Sequence, residues 1–282
     1  MHFKLSIIIM NEVLQYIAFN LEIVSKETLS FPFEDPGYLL GTGLFETVLI
    51  ENGQPVLLDD HVDRMKKSAD AFKLEFPYTL RDVGKMVSNL ILQNNVKRAR
   101  MNGYLTPGSH KPNLMMMLRS LPDNYHEETL TVELKQETVP SSWLNEHKTK
   151  GYIKAYVERL GMKTDDVILY DSDGFILEAS YANVFFAKGE TLYTPPVHHI
   201  LPGVTRQWIL DQQKQLQVEV VEEKIHKDTL ETYDEVFLTS STRLIGIVSE
   251  IVGQELRSKT LTKQIKDRVL LKLSENGLAA LH

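Results

Sequence analysis

The sequence predicts a two-domain protein of the α/β (α+β) class, in which strands and helices share each domain. Short apolar runs separated by turn residues indicate strands, and apolar residues recurring every three or four positions indicate helices. A chain of 282 residues with 43% hydrophobic residues can bury one large core or two medium ones. The turn-forming segment Leu-Pro-Asp-Asn at 121–124 predicts a boundary between an N-terminal α+β domain over 1–120 and a C-terminal domain over 121–282.

The N-terminal domain is predicted to begin with strands. The Asn-Gly pair at 52–53 lies between two apolar runs and is typical of a two-residue β-hairpin. The helix that follows has an apolar stripe, which leaves His61, Arg64 and Ser68 on a neighbouring face. The predicted elements are strands at 5–10 and within 12–58, a helix capped by Asp59 or Asp60 and running through Phe72, a helix at 80–94, and strands at 97–105 and 113–119.

The C-terminal domain is predicted to alternate short strands with turns and helices. Ser-Asp-Gly at 172–174 and Lys-Gly at 188–189 are turn signals between apolar runs. The predicted strands are 129–137, 167–170, 175–180, 183–187, 191–193, 217–222 and 235–239, and the predicted helices are 151–160, 204–216, 226–232 and 259–276.

Composition excludes several classes of partner. A formal charge of −7 argues against a general nucleic-acid binder, which needs a clustered basic face. The apolar run at 5–10 is far shorter than the roughly 20 residues that span a bilayer, so we expect no membrane association. The absence of cysteine removes disulfides and thiolate metal sites and fits a reducing cytoplasm, and we expect no metal site.

One acid interrupts an apolar strand of the C-terminal domain. Glu178 lies in the run Phe-Ile-Leu-Glu-Ala-Ser at 175–180, where an ionised carboxylate is costly unless a cation or strong donors meet it. Leu-Pro-Gly at 201–203 then begins a helix at Val204 and Thr205, whose first N–H groups are available to an anion. Together these features predict a site for one molecule with a cationic end and a phosphate end, although a solvent-facing strand acid would explain Glu178 taken alone.

Three further groups could contribute charge or hydroxyls to such a site. Arg64 can bind a phosphate through two nitrogens, and the four hydroxyls of Thr239–Thr242 can surround one where a strand ends. Lys148 or its neighbour Lys150, if buried, would serve as a nucleophile and proton carrier. Each residue also has an ordinary explanation as a solvated surface or loop residue, and the residues alone do not distinguish Lys148 from Lys150.

Six blocks along the chain resemble the class IV pyridoxal-phosphate enzymes, which include branched-chain aminotransferases, D-amino-acid aminotransferases and 4-amino-4-deoxychorismate lyases. The blocks occur in the family's order over nearly the whole chain, which argues against a chance match. The resemblance implies a small N-terminal α+β domain and a larger C-terminal domain with a mainly antiparallel sheet or barrel. The blocks are GTGLFET at 41–47, HVDRM at 61–65, KTKGY at 148–152, EASYANVF at 178–185, LPGVTR at 201–206 and TSST at 239–242.

The resemblance also implies pyridoxal 5′-phosphate as cofactor and a role for each matching residue. Lys148 matches the lysine that bonds to the cofactor and moves the proton at the substrate α-carbon. Glu178 matches the acid that keeps the pyridine nitrogen protonated, and Arg64 matches the arginine on the cofactor phosphate. The other residues that the resemblance assigns to the cofactor are Tyr152, Ser180, Asn183, Val204, Thr205 and Ser241.

Several positions depart from the branched-chain enzymes. The arginine of the Arg-Gly motif that binds substrate carboxylates in many relatives is missing at 105–108, and the interval from Lys148 to Glu178 is shorter than the family's. Thr47 replaces a glycine, as in lyases and D-amino-acid aminotransferases, and Leu40 replaces a tyrosine. Arg100, Arg119 and Arg243 are the candidates for a carboxylate partner. The residues assigned to the substrate are Tyr38, Leu40, Phe45, Thr47, Arg100 and Thr242.

The resemblance therefore implies a cytoplasmic, homodimeric enzyme, an aminotransferase acting on a small amino acid and a 2-oxo acid. A lyase that releases pyruvate from aminodeoxychorismate to give 4-aminobenzoate is the alternative within the family. A non-catalytic small-molecule-binding protein that keeps the fold is the alternative of another class.

Overall fold

The computed structural model describes residues 12–30, 32–122, 129–151, 153–256 and 258–275. The chain divides into two compact units, one ending at residue 123 and one beginning at residue 124. The boundary predicted at 120 and 121 remains a prediction for domains that fold independently. The strand predicted at 5–10 and the site residue Tyr152 lie outside the described residues.

The first unit is a six-stranded antiparallel sheet with two long helices on one face. Its elements are β1 (Val13–Phe19), β2 (Glu22–Ser25), α1 (Pro36–Leu39), β3 (Leu44–Glu51), β4 (Gln54–Pro55), α2 (Leu58–Ala71), α3 (Leu80–Asn94), β5 (Ala99–Thr106) and β6 (Asn113–Ser120). The strand order is β2-β1-β6-β5-β3-β4. Alternate residues of the central strands, such as Val48, Met101 and Leu118, form one core with Val83 and Leu90 of α3.

Local signals placed most of these elements correctly. The Asn-Gly hairpin is confirmed, because Asn52 and Gly53 both have positive φ between β3 and β4. The helix predicted at 80–94 is confirmed, and Thr79 and Asp82 cap it reciprocally. The predicted cap at Asp59 or Asp60 is wrong. The cap of α2 is Leu57, in a left-handed conformation, and both acids lie in the first turn of the helix.

The second unit contains a nine-stranded mixed sheet. Its elements are β7 (Leu130–Gln136), α4 (Ile153–Glu158), β8 (Asp166–Tyr170), β9 (Ile176–Ala179), β10 (Asn183–Lys188), β11 (Thr191–Thr194), α5 (Val204–Asp211), α6 (Gln213–Leu216), β12 (Glu219–Glu222), β13 (Glu235–Ser240), β14 (Leu244–Ile251), β15 (Gln254–Glu255) and α7 (Thr260–Glu275), with 3₁₀ turns at Trp143–Glu146 and Lys227–Thr232. The strand order is β12-β11-β10-β13-β14-β7-β8-β9, and β15 pairs with β14.

Most strand pairs of this sheet are antiparallel, as predicted, but three are parallel: β11 with β12, β14 with β7, and β7 with β8. Ile176 and Ala179 of β9 share a core with Val184 and Phe186 of β10. The helix predicted at 204–216 is interrupted at Gln212, between α5 and α6. Strand β14 was not predicted. Among the described residues, every helix is too short or too polar to span a bilayer.

Candidate active site

Glu178 and the Leu-Pro-Gly turn lie together in the second unit. Oε2 of Glu178 accepts a hydrogen bond from the backbone N–H of Leu201 at 3.1 Å. The side-chain amide of Asn183 donates to the same oxygen at 3.3 Å and to the carbonyl of Leu201 at 2.9 Å. The two features that the sequence assigned to one site are therefore in direct contact.

Gly203 is required by the close approach of Asn183. A Cβ atom at position 203 would lie 2.0 Å from Oδ1 of Asn183, far inside van der Waals contact. The φ of Gly203 is −66°, which any residue adopts, so the requirement is for space and not for an unusual backbone. Helix α5 begins at the next residue, so this contact fixes the start of the helix beside Glu178.

The carboxyl of Glu178 titrates near neutrality. Burial raises the pKa of Glu178 to about 8, and the Leu201 N–H and the positive charges of Lys154 and Lys148 offset only part of that rise. The negative charge of Glu137 raises the pKa further. A cation bound against Oε1 or Oε2 would favour the ionised form, so the surroundings of Glu178 suit a ligand with a positively charged end.

Lysines near this carboxyl differ in their surroundings. Lys148 and Lys150 are both half-buried in the segment before α4. Lys154, in the first turn of α4, donates from Nζ to Oε2 of Glu137 at 2.9 Å and to Oγ of Ser141 at 2.6 Å. Lys154 is thus held in an ion pair, and Lys148 is the predicted nucleophile whose charge acts on Glu178.

Helix α5 offers its first turn to an anion. Val204 and Thr205 are buried, and Gly203 caps the helix without a side-chain hydrogen bond. N–H groups in the first turn of a helix have no acceptor within the helix. Because α5 packs against β13 and Thr239 of β13 lies opposite Asn183 of β10, this helix start lies near the hydroxyl-rich segment.

The hydroxyl-rich turn after β13 contains buried polar atoms that lack partners. Oγ1 of Thr239 and Nη1 of Arg243 are both buried and have no hydrogen-bond partner among the described residues. Ser241 and Thr242, between them, are half-buried. Leaving such a group unsatisfied costs about 1–3 kcal/mol, so the turn is suited to an anionic group that accepts from these donors.

Ser180 is engaged by a buried ion pair. Its Oγ lies 2.5 Å from Oδ1 of Asp166, and Nη1 of Arg159 donates to Ser180 Oγ at 2.9 Å and to Asp166 at 3.2 Å. Burial raises the pKa of Asp166, and Arg159 and Ser180 offset part of that rise. These contacts stabilise the end of β9, and the role of Ser180 at the cofactor stays a prediction.

In the first unit, Arg64 forms a buried cluster with Glu46 and His61. Arg64 donates from Nε to Oε1 of Glu46 at 2.8 Å and from Nη2 to Oε2 at 2.6 Å, and Nδ1 of His61 lies 2.7 Å from Oε2. Burial alone would raise the pKa of Glu46, but Arg64 and His61 hold it well below its ordinary value. The ion pair fixes the plane of the Arg64 guanidinium.

The predicted substrate residues of the first unit fall into two groups. Phe45 and Thr47 of β3 alternate with core residues and so share the sheet face opposite α2 and α3 with Arg100 of β5. Tyr38 and Leu40 lie in and after α1, with 66% and 77% of their surfaces exposed. Three of these five residues, Phe45, Thr47 and Arg100, therefore lie on one face of the sheet.

Buried Asp35 positions α1 on this sheet. It caps the helix by accepting from the N–H of Gly37 at 2.7 Å. It also accepts from Thr106 Oγ1 at 2.5 Å and Asn113 Nδ2 at 3.0 Å, which belong to β5 and β6. Asp35 thereby sets the position of Tyr38 and Leu40 relative to those strands.

Comparison with known proteins decides the family. Residues 43–251, well over half of the chain, match the family described as Amino-transferase class IV. The chain belongs to the class IV aminotransferase family. The predicted family and fold are confirmed. The predictions of an enzyme, of aminotransferase function and of pyridoxal phosphate as the cofactor agree with membership in this family.

Relatives within the class IV aminotransferases include both predicted activities. A probable branched-chain-amino-acid aminotransferase of Rickettsia felis is 30% identical over 244 residues, 80% of this chain and 83% of its own length. The aminodeoxychorismate lyase of Bacillus subtilis is 28% identical over 233 residues, 74% and 77% of the two chains. A hypothetical aminotransferase from Mycobacterium tuberculosis in its PLP-bound form has the same fold, with a TM-score of 0.81 and 20% identity over 91% of this chain and 99% of its own.

Three charged residues that contact or act on the predicted site residues were not found from the sequence. Glu46 lies within the matched block at 41–47, between Phe45 and Thr47, where a surface acid would also fit. Glu137 and Lys154 lie far apart from each other along the chain and close to Glu178 only in the fold. Arg243, by contrast, was among the predicted carboxylate partners, and the Thr239–Thr242 motif that it follows directly indicates its position.

Proposed function

We propose that this chain is a pyridoxal-phosphate-dependent aminotransferase that transfers an amino group between a small amino acid and a 2-oxo acid. The observation that carries the proposal is the half-buried carboxyl of Glu178, held by Asn183 and the Leu201 N–H beside Lys148. A carboxyl with a pKa of about 8 suits a partner that carries a positive charge.

The donor set of the second unit fits the cofactor. Glu178 suits the protonated ring nitrogen, and the first turn of α5 with the turn after β13 suits the phosphate. The buried, unpartnered Oγ1 of Thr239 supports an anion at this turn. We therefore assign Val204, Thr205 and Ser241 to the phosphate, and retain Asn183, Ser180, Tyr152 and Arg64 as cofactor residues from the family resemblance.

The chain's own residues would orient and protonate the substrate. Pyridoxal phosphate supplies an electron sink when a bond to the substrate α-carbon breaks. Lys148 would hold the cofactor through Nζ and would carry the proton of the substrate α-carbon, for which its amine must be neutral. Glu178 would hold the proton at the ring nitrogen, and Asn183 and the Leu201 N–H fix the direction in which Glu178 points.

Arg243 is the candidate carboxylate partner that the structure supports best. It follows Thr242 directly, and its Nη1 is buried without a partner among the described residues. The side chain of Arg243 packs over Gly246. A Cβ atom at position 246 would lie 2.7 Å from Cδ of Arg243. We propose that Thr242 and Arg243 bind the substrate carboxylate, with the sheet residues Phe45, Thr47 and Arg100 and the exposed Tyr38 and Leu40 as further substrate residues.

Borohydride reduction with peptide mapping tests the assignment of Lys148. After incubation with pyridoxal phosphate and reduction, we expect a phosphopyridoxyl group on Lys148 and none in Lys148→Ala. A label on Lys150 or Lys154 in the wild type would overturn the choice of lysine. No label, with no visible absorption on adding the cofactor, would favour the non-catalytic binding protein.

A mass-spectrometric screen of amine acceptors distinguishes the two reactions. Conversion of 2-oxoglutarate to glutamate by the wild type, lost in Lys148→Ala, is the expected result. Release of pyruvate from aminodeoxychorismate without an acceptor would favour the lyase, to which the Bacillus subtilis relative gives weight. Arg243→Met should raise KM for the amino acid with a smaller change in kcat, because it removes a group that binds substrate throughout the reaction.

We further propose a homodimer located in the cytoplasm, both from the family resemblance. The segment around α1 exposes apolar side chains that a second copy would cover: Phe33, Tyr38, Leu39 and Leu40, each more than half exposed. Light scattering during size-exclusion chromatography should give twice the chain mass of 32.3 kDa, and a single-chain mass would contradict the proposal.

A further inference from the structure

Two histidines and an acid meet in the second unit outside the residues assigned to the cofactor. Glu146 ends a 3₁₀ turn, and His198 and His199 lie in the loop between β11 and α5. One carboxylate oxygen and one nitrogen from each imidazole all lie within 4.8 Å of one another. The sequence analysis, which considered only cysteine as a metal ligand, predicted no metal site, and only the fold brings these three residues together.

The backbone at His199 is what places the two rings side by side. In an extended chain, consecutive side chains point to opposite sides. His199 instead has φ of +60°, in the left-handed region, and its ring stacks on that of His198 with centroids 3.9 Å apart and planes 24° apart. Residues other than glycine occupy this region infrequently, so the fold holds both imidazoles on one side of the loop against a local preference.

The loop is anchored on both sides of the two histidines. Arg206 donates from Nη2 to the carbonyl of Pro195 at 2.8 Å, before them, and Leu201 donates to Glu178 after them. The N–H of His199 itself donates to Oε1 of Glu146 at 3.1 Å. Trp143, in the same 3₁₀ turn as Glu146, packs edge-on against His147. These contacts fix the backbone that carries the two histidines and the carboxylate of Glu146, which lowers the entropy cost of binding a ligand.

The chemistry of the cluster selects its ligand. A carboxylate repels an anion, and neutral imidazoles donate lone pairs, so the set suits a cation that accepts both oxygen and nitrogen ligands. Two histidines and a glutamate with an open position are a common zinc set, and donors of this type also bind copper and nickel. With bonds of about 2.1 Å, tetrahedral ligand atoms are roughly 3.4 Å apart, so the donor atoms, now within 4.8 Å, would move closer and the stacked rings would turn to direct their lone pairs at one ion.

We propose that Glu146, His198 and His199 form a binding site for a divalent transition-metal ion, with Zn²⁺ as the probe. A bound ion would join the 3₁₀ turn that precedes Lys148 to the loop that precedes Leu201. It would thereby stabilise the hydrogen bond from Leu201 to Glu178. The site does not depend on the cofactor, so it can be tested whether or not the proposed aminotransferase activity is found.

Zinc titration tests this site. The 282-residue chain, without a tag, is first treated with a chelator and is then titrated with Zn²⁺ in the absence of pyridoxal phosphate. We expect one Zn²⁺ ion per chain by calorimetry and a tetrahedral visible spectrum with Co²⁺. His198→Ala, His199→Asn and Glu146→Gln should each weaken zinc affinity at least tenfold. Asparagine tolerates the left-handed backbone at 199, and glutamine keeps an acceptor for the His199 N–H, so both variants should retain the fold.

His226→Ala is the matched control, because His226 is another imidazole beside an acid, with Nδ1 3.5 Å from Asp228. Its zinc affinity should equal that of the wild type. Zinc should also raise the melting temperature of the wild type and of His226→Ala, and leave that of His198→Ala unchanged. Equal zinc affinity in the wild type and all three ligand variants, or no stoichiometric binding by the wild type, would overturn the proposal.

Discussion

At the scale of single residues, the ionisation of Glu178 links the site to the stability of the fold. Its pKa of about 8 in the folded chain lies above the ordinary value of 4.5. Between these two values the unfolded chain binds fewer protons than the folded one. The contribution of Glu178 to the free energy of unfolding is therefore fully present below pH 4.5. It falls as the pH rises towards 8, by at most about 1.4 kcal/mol for each pH unit.

We expect Glu178→Gln to stabilise the cofactor-free protein relative to the wild type, by an amount that grows across this pH window. Glutamine can still accept from the Leu201 N–H, but it carries no charge to bury. Urea unfolding of both proteins at each pH unit of the window measures the difference, and parallel stability curves would contradict the prediction.

With the cofactor bound, Glu178→Gln should lose most of its turnover, because the ring nitrogen loses its acid partner.

Lys154 limits the rise in the pKa of Glu178 that burial causes, together with the larger effect of the Leu201 N–H. Its positive charge lowers that pKa, and its ion pair with Glu137 limits the opposing effect of that acid. Lys154→Met should therefore raise the pKa of Glu178 further, and Lys154→Arg should keep it near the wild-type value. Carbon NMR titration of the Glu178 carboxyl, assigned with Glu178→Gln, gives the midpoint directly. A midpoint that is the same in Lys154→Met and the wild type would show that Lys154 has only a packing role.

At the scale of elements, the contact between Gly203 and Asn183 joins the start of α5 to β10. Gly203→Ala should destabilise the protein by about 1–3 kcal/mol, the usual cost of forcing atoms into a packed site. It should also weaken cofactor binding at least tenfold, because Asn183 must leave Glu178 to make room.

Two variants separate this clash from other effects of the mutation. In an Asn183→Ala background the added methyl has space, so the two substitutions should cost less together than the sum of each alone. Gly84→Ala adds a methyl in α3 where nothing lies within 4 Å and where φ is not positive, and it should leave cofactor affinity unchanged. Chemical denaturation and a cofactor titration measure both quantities. Full additivity of the two substitutions would contradict the steric explanation.

Elements fixed by local signals were predictable from the sequence, and those fixed by distant pairing were not. Helix α3 carries its own capping box and stripe, and the hairpin at 52–53 carries its own turn residues. Strand β14 begins at Leu244 in a left-handed conformation, directly after the hydroxyl turn, where no glycine marks the break. It pairs in parallel with β7, more than a hundred residues earlier, and nothing local encodes that partner.

The same division holds for the site. Glu178 and the Leu-Pro-Gly turn were recognisable because an acid in an apolar strand and a glycine before a helix are local anomalies. The pair of Glu137 and Lys154 is an ordinary acid and an ordinary lysine until the fold brings them to Glu178. Residues with a local signal, such as Glu178, were therefore predictable from the sequence, whereas the residues that change the pKa of Glu178 through the fold were not.

At the scale of the whole molecule, each unit has its own core and its own buried charge cluster. The cluster of Glu46, Arg64 and His61 belongs to the first unit, whereas both tryptophans, Trp143 and Trp208, belong to the second. Tryptophan fluorescence therefore reports on the second unit, and far-ultraviolet circular dichroism reports on both.

Glu46→Gln removes the charge between Arg64 and His61 and should cost the first unit about 3–5 kcal/mol, as for other broken buried ion pairs. Because the pKa of Glu46 is lowered in the folded chain, the contribution of Glu46 to stability is present above its ordinary pKa and is lost as the pH falls below that value.

If the units fold independently, as the predicted two domains imply, urea unfolding of Glu46→Gln at neutral pH should show an early circular-dichroism transition. The fluorescence transition should stay at its wild-type midpoint, and Gly203→Ala should move it instead. Equal shifts of both signals in Glu46→Gln would mean that the two units unfold as one cooperative structure.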